Sequence, residues 1–340
     1  MNLSRRTELI INISNTDISA DINKYFINAV YTEHSEDKAD DLRLELDDRD
    51  SHWISWLTGM KGAIISCVIV QRNWNGDGGV SRLDCGQFEI DSISFNGPPS
   101  RVSIKATSLP HGSTVRTEIK TKAWENIKLS AIAGEIASLN GLEFMFESDF
   151  DLVYDRREQI QTSDVVFLQD LCYSAGISLK VTDNKIVMFD AGKYEAMPPV
   201  YVISSENSDI KSWRFATSLK DASYSSCHVS YTEPQTGETF DSRVESGSAE
   251  SSGQVLEINE KVGSQDEARQ LAENRLRQKN KNEFQAEFTL CENVQLVAGV
   301  TVDLVGWGFF DGRYIIETTI RNISGSGGTL QVKLRRTIDN

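Results

Sequence analysis

Carboxylates are the first side chains in this 340-residue chain whose spacing suggests chemistry. Nine acids and three bases lie between Glu33 and Asp50. Asp47-Asp48-Arg49-Asp50 has the oxygens of a calcium loop, but it lacks the Gly and the bidentate Glu of an EF-hand. Two nearby acids would also suit glycoside hydrolysis. The simpler reading is a solvated strand face whose charges discourage edge pairing. A further reading makes Asp40, Asp41, Glu45 and Asp47 an electrostatic surface that repels nucleic-acid phosphates. The four histidines, His34, His52, His111 and His228, fall in neither HxxxH nor HExxH spacing, which argues against a zinc hydrolase. Neither GxSxG nor GxxxxGK[ST] occurs. Cys67, Cys85, Cys172, Cys227 and Cys291 are odd in number and show no CxxC, so free, buried thiols are expected. Trp53 and Trp56 stand three apart and Trp74 lies near a turn. They offer either a sugar-stacking platform or ordinary packing, and packing is the simpler account. No catalytic, cofactor-binding or metal-binding residue is expected.

The elements that hold these residues alternate with period two over the first 110 positions. Asp41 to Asp47 alternates charge with leucine, the pattern of a half-buried strand. Ile64 to Val70 reads as a more buried strand. Asn75 to Gly79 is a turn, and Leu83 to Ile90 is the returning strand. Residues 1–110 are therefore expected to be a first β-domain. The spacing of Trp124, Ile127, Ala131, Ile132, Ile136 and Leu139 predicts a helix, stopped at Asn140-Gly141. A second helix over Val165 to Ala175 stops at Gly176, and each helix is followed by a strand. This helix–Gly–strand repeat makes 111–195 an α+β module, bounded by Met197-Pro198-Pro199. Residues 196–340 return to strands, with a polar loop expected at Ser242 to Gly253. A helix is inserted at 264–280, opened by the capping box Ser264-Gln265-Asp266-Glu267. Asp311-Gly312 is expected to be a tight turn, and Gly299, Gly306, Gly308, Asp311 and Gly312 to be structural turn residues. The fold class expected is mainly β, two similar β-barrel domains separated by a small α+β module.

Composition narrows the partners. The formal charge is −15, so the basic footprint of specific nucleic-acid recognition is absent. No run of about 18 apolar residues occurs, so no helical membrane span is expected. Met1 to Arg6 carries a basic pair without a following apolar run, unlike a secretory leader. A cytosolic product is expected, or one exported without a cleaved leader.

Two segments carry a family resemblance. One runs Tyr31-Thr32-Glu33 through Asp37-Lys38-Ala39-Asp40-Asp41-Leu42 to Leu46-Asp47-Asp48-Arg49-Asp50. The other is Ala298-Gly299-Val300-Thr301-Val302-Asp303-Leu304 followed by Gly306-Trp307-Gly308-Phe309-Phe310-Asp311-Gly312-Arg313-Tyr314. With Thr121-Lys122-Ala123-Trp124 and Gln161-Thr162-Ser163-Asp164, they make the chain resemble the late-control D tail-hub family of contractile phage tails. That family includes hubs of phage-tail-like bacteriocins and is related to the hub half of type VI spike proteins. The resemblance implies a homotrimer on the tail axis that joins the hexameric tail tube to a trimeric spike, among other baseplate proteins. It implies assembly in the bacterial cytoplasm and residence in a virion tail or tail-like particle. The chain ends at Asn340 without a spike, lysozyme or peptidase domain, which implies a separate spike polypeptide. The expected role is structural and needs no cofactor. A module that binds or degrades cell-wall carbohydrate is the alternative.

Overall fold

Alternation at Asp41–Asp47 resolves as pattern demands, with Leu42, Leu44 and Leu46 buried and Asp41 and Arg43 exposed. The computed structural model describes residues 4–74, 78–108, 115, 118–182, 184–218, 224–234, 236–246, 253–325 and 327–338. Three stretches of elements follow one another. The first holds β1 (Arg6–Ile13), β2 (Thr16–Asp17), α1 (Ser19–Tyr25), β3 (Phe26–His34), β4 (Asp41–Asp47), α2 (His52–Trp56), β5 (Ile64–Arg72), β6 (Val80–Asn96) and β7 (Arg101–Thr107). The second holds β8 (Ile119–Lys128), α3 (Leu129–Leu139), β9 (Glu143–Glu147), β10 (Val153–Ser163), α4 (Asp164–Ala175), β11 (Ser178–Thr182), β12 (Lys185–Phe189) and α5 (Ala191–Glu195). The third begins with β13 (Tyr201–Ser204), β14 (Ile210–Thr217), β15 (Tyr224–Thr232), β16 (Thr239–Glu245), β17 (Gln254–Ile258) and α6 (Gln265–Asn280). It ends with β18 (Phe284–Cys291), β19 (Thr301–Val305), a 3-10 turn (Gly308–Phe310), β20 (Gly312–Ser324) and β21 (Gly327–Arg336).

The chain is mainly β, with the expected α+β insertion. A 13-stranded sheet runs through both β-regions in the order β14-β18-β21-β20-β3-β4-β7-β6-β5-β1-β2, with β19 on β20 and β13 on β19. The two regions join where β3 and β20 pair antiparallel, Asn28 opposite Ser324 through His34 opposite Thr318. Each region keeps its own core. Ile11, Leu44, Trp53, Ile65 and Phe88 lie in the first; Phe288, Val302, Tyr314 and Val332 lie in the second.

A third core belongs to the middle module. α3 and α4 pack there with β9, β11 and β12, which form a small sheet in the order β11-β12-β9. Its members also include Cys227, Val229, Ile258, Leu271 and Leu276, from β15, β17 and α6. Those elements follow the module's proline boundary in sequence, yet they bury their apolar faces against the module. Half of the capping box forms as expected, the Glu267 amide donating to Ser264 Oγ at 3.1 Å, while the Glu267 carboxylate accepts from the Gly263 amide instead of that of Ser264.

Three local expectations are corrected. Trp124 and Ile127 lie on β8, not on a helix, and α3 begins only at Leu129. Trp124 is buried inward from a strand paired with β10 and stacks on Phe167 at 5.1 Å. The expected loop from Ser242 begins instead as β16, through Glu245, and residues 247–252 lie outside the described residues. Gly306 to Asp311 connect β19 to β20 through the 3-10 turn, so Asp311-Gly312 is not a two-residue hairpin. Of the other expected features, residues 75–77 of the first turn and His111 lie outside the described residues.

Candidate functional site

The acidic segment does not form one surface. Asp40 is 6% exposed and therefore leaves the proposed electrostatic set. Its carboxylate accepts from the His34 amide at 2.8 Å and from Lys180 Nζ at 2.6 Å. Asp41 is exposed; Glu45 pairs with Arg101 at 3.2 Å, and Asp47 pairs with Arg49. Asp48 is also buried and accepts the Trp53 amide at 2.7 Å, which fixes the start of α2. The contacts of Asp47 and Asp48 explain their carboxylates without an ion. Among the described residues no cluster of three or more His, Cys, Asp or Glu side chains could hold a metal.

Asp40 belongs to a charged seam between the module and the sheet. Glu36, just past β3, accepts from Lys281 Nζ at 2.7 Å and from Ser178 Oγ. Glu195 on α5 accepts from Arg277 at 2.8 Å, from Arg335 at 2.8 Å and from the Ile338 amide at 3.0 Å. Arg335 Nε lies 3.2 Å from Glu317 without hydrogen-bond alignment. Burial works against ionisation of Glu36, but Lys281 and Arg335 outweigh it and hold its carboxyl below the usual range. Burial prevails at Glu317, which is raised despite Arg335. The seam borders a cavity of about 190 Å³ lined by Ser35, Lys180, Phe189, Tyr194 and Arg335, among others. Its charges are paired across elements, which makes it a fastening between layers.

The Gly306–Gly312 stretch forms an aromatic plug. Trp307 donates Nε1 to the Ile203 carbonyl at 3.0 Å, and its amide donates to Asp311 Oδ1 at 2.6 Å. Its ring meets Trp213, Phe215 and Phe288 at 5.3–5.4 Å, and Phe215 stacks on Phe310 at 4.4 Å. Gly299, Gly306, Gly308 and Gly312 adopt φ of +91°, +81°, +65° and +136°. A side chain on Gly306 would also strike Ser205 Oγ at 2.5 Å. Trp213 and Phe309 remain 58% and 57% exposed.

Sequence reasoning passed over Trp213, because β14 has no strict alternation. β14 pairs only with β18 among the described residues, and it carries Lys211 and Arg214 but no acid. The expected aromatic platform is different. Trp53 is 1% exposed and packs edge-on against Trp56 at 5.8 Å, while Trp74 donates to the Arg6 carbonyl at 3.2 Å. Among the described histidines, His34 meets Thr318 and His52 stacks on Tyr25 at 5.4 Å. His228 is clasped between Asp241 at 2.8 Å and Glu257 at 2.7 Å.

The described residues thus present a fastened sheet and an exposed aromatic edge. Residues 100–322 match the family described as phage tail baseplate hub (GPD). The chain belongs to this family. It is 25% identical over 184 residues to a probable baseplate hub protein of Escherichia phage 186, covering 54% of this chain and 45% of that protein. Its counterpart in Escherichia phage P2 is 26% identical over 189 residues, covering 55% and 46%. The match spans about half the length of these curated relatives. The whole fold is shared with the 43 kDa tail protein of prophage MuSo2 from Shewanella oneidensis. That likeness has a TM-score of 0.68 at 13% identity and covers 97% of this chain and 98% of that one. An Escherichia coli type VI secretion component described as similar to T4 tail proteins shares it at a TM-score of 0.58 and 9% identity, covering 99% and 78%.

Proposed function

We propose that this baseplate hub protein works as a homotrimer that joins a six-fold tail tube to a three-fold spike. The observation that carries the reading is the continuous sheet with two separately cored β-regions in one chain. A three-fold ring can meet a six-fold ring only when each subunit offers two contact surfaces. The cross-strand bonds of β3 and β20, backed by the charged seam, give one subunit the stiffness to transmit load. The role is structural, in the tail of a virion or a tail-like particle assembled in the bacterial cytoplasm. The partners proposed are the tube, a separate spike and other baseplate proteins.

The subunit contact is placed at β14. Its edge unpaired among the described residues, its two cations and the exposed Trp213 and Phe309 suit a second copy of a chain whose net charge is −15. The repulsion of passing nucleic acid is proposed for the remaining acids of the segment, Asp41, Glu45 and Asp47. The wall-binding reading loses its platform, because Trp53 is buried. Light scattering of the protein, alone and mixed with the spike, tests the hub reading. Three chains of 38.0 kDa each are expected, either as a free trimer or in a complex whose mass also includes the spike. A stable monomer that ignores the spike would overturn it.

A further inference from the structure

Two thiols in the first β-region face one another across β5 and β6. Ser66 pairs with Gln87 and Val68 with Asp84, so the register shifts between them. Cys67 therefore stands alone on β5 opposite Cys85 and Gly86 on β6, with Gly86 at φ +82° taking up the extra residue. Both cysteines are buried in one core, at 1% and 7% exposure, so both side chains point to the same face of the sheet. Regular antiparallel pairs hold their Cα atoms roughly 4.5–5.5 Å apart, within the ~4.4–6.8 Å window of a disulfide, and the bulge sets Cys85 beside such a pair position. The Cys85 thiol lies within hydrogen-bonding reach of Cys67, and both are free thiols here. The other described cysteines sit on α4, β15 and β18, where no two share adjacent strands.

We propose that Cys67 and Cys85 are a latent cross-strand staple, closed by oxidation once the protein leaves a reducing compartment. This goes beyond the hub role; the thiol chemistry does not depend on it, and only the oxidising setting rests on that reading. With glutathione disulfide as oxidant, one protein thiolate attacks a glutathione sulfur and expels a glutathione thiolate. The second protein thiolate attacks the protein sulfur of that mixed disulfide and expels the other glutathione. Two protein thiols are oxidised, one glutathione disulfide is reduced to two thiols, and the two protein protons end on the departing glutathiones. The contact with Cys67, and then burial, hold the Cys85 thiol well above its ordinary pKa, so the attacking thiolate is scarce in the closed sheet. The staple therefore closes through local opening of β5 and β6, and mild denaturant speeds it. Once closed, it restricts the unfolded chain between the two strands and raises the melting midpoint. Disulfides persist outside the reducing cytosol, where a released particle would operate.

The test incubates reduced, full-length protein with glutathione disulfide, with and without low urea. Free thiols are then alkylated under denaturing conditions, and the peptides are mapped by mass spectrometry. Expected is a peptide pair joined through Cys67 and Cys85, lighter by two hydrogen atoms, with Cys172, Cys227 and Cys291 alkylated. The melting midpoint rises on oxidation in the wild type and stays put in Cys67→Ala and Cys85→Ala. Alkylation of both thiols in low urea, or glutathione adducts without the joined pair, would overturn the proposal. The wild-type map decides by itself, so a variant that fails to fold leaves the test intact.

Discussion

Arg321 has no exposed side-chain surface, and neither does its partner Glu292. It also donates to the Asn293 carbonyl at 3.0 Å and to the Leu296 carbonyl, so the pair ties β20 to the segment after β18. Burial pushes the Glu292 carboxyl up, and Arg321 pulls it back. Removing the cation leaves that carboxylate uncompensated. Arg321→Ala should therefore cost about 3–5 kcal/mol in denaturant unfolding, as expected for a broken buried pair. A loss below about 1 kcal/mol, the range of an exposed pair, would refute this account. His228 gives a pH prediction. Its hydrogen bond to Asp241, then that to Glu257, raises its pKa above 6.5, while the same bond lowers Asp241. A raised histidine stabilises fully below its ordinary value, and that contribution disappears as pH rises through the raised one. The lowered Asp241 acts oppositely: its share is present above 3.8 and is lost as pH falls through the lowered value. An NMR titration should give a His228 midpoint above 6.5, and Asp241→Asn should bring it down. A wild-type midpoint at or below 6.5 would dismiss the clasp. Neither Arg321 nor the clasp was legible in sequence. Arg321 interrupts an apolar alternation, and only the fold reveals that it points inward at an acid. The partners of His228 come from strands 13 and 29 residues away.

At the scale of elements, the two helix stops form a natural comparison. Gly141 and Gly176 adopt nearly the same left-handed backbone, φ +67° and +70°. A Cβ on Gly141 would meet nothing within 4 Å, whereas one on Gly176 would lie 2.3 Å from Asn274 Cβ on α6. Gly141→Ala should cost roughly 1–2 kcal/mol, the penalty for a left-handed alanine. Gly176→Ala should cost clearly more, since the α4–α6 contact must also give way. Equal losses in thermal unfolding would show that the close approach contributes nothing. The glycine stops were legible because a left-handed cap has a residue signature. The approach of α6 was not, because it depends on a helix about 90 positions later in the chain. Period two was legible in β4 because one face meets a core and the other meets water. Trp124 and Ile127 misled because they continue the period of α3 by chance, while pairing with β10 holds them extended. The elements β15 to α6 carry apolar faces that fit either core, and tertiary packing alone assigns them to the module.

At the scale of the whole molecule, the open edge at β14 decides how copies could meet. Lys211, Trp213 and Arg214 are exposed on a strand that pairs only with β18 among the described residues, in a chain with 50 acids against 35 bases. A contact between this basic edge and a different, acidic surface is heterologous, so it either closes a ring or runs on as a filament. Because charge steers it, raising salt should weaken self-association, with exposed pairs screened beyond ~8–10 Å. If the proposed trimer meets through this edge, Lys211→Glu combined with Arg214→Glu converts it to monomer in light scattering while leaving the unfolding midpoint nearly unchanged, since both side chains are exposed. Trp213→Ser should weaken the trimer at every salt concentration, because its contribution is buried ring area instead of charge. A double charge reversal that still forms a full trimer would move the subunit contact away from β14. The hub reading would survive that outcome, because binding to the spike is measured separately on the same variant. Loss of spike binding with the trimer intact would place the spike, not the neighbouring subunit, on this edge.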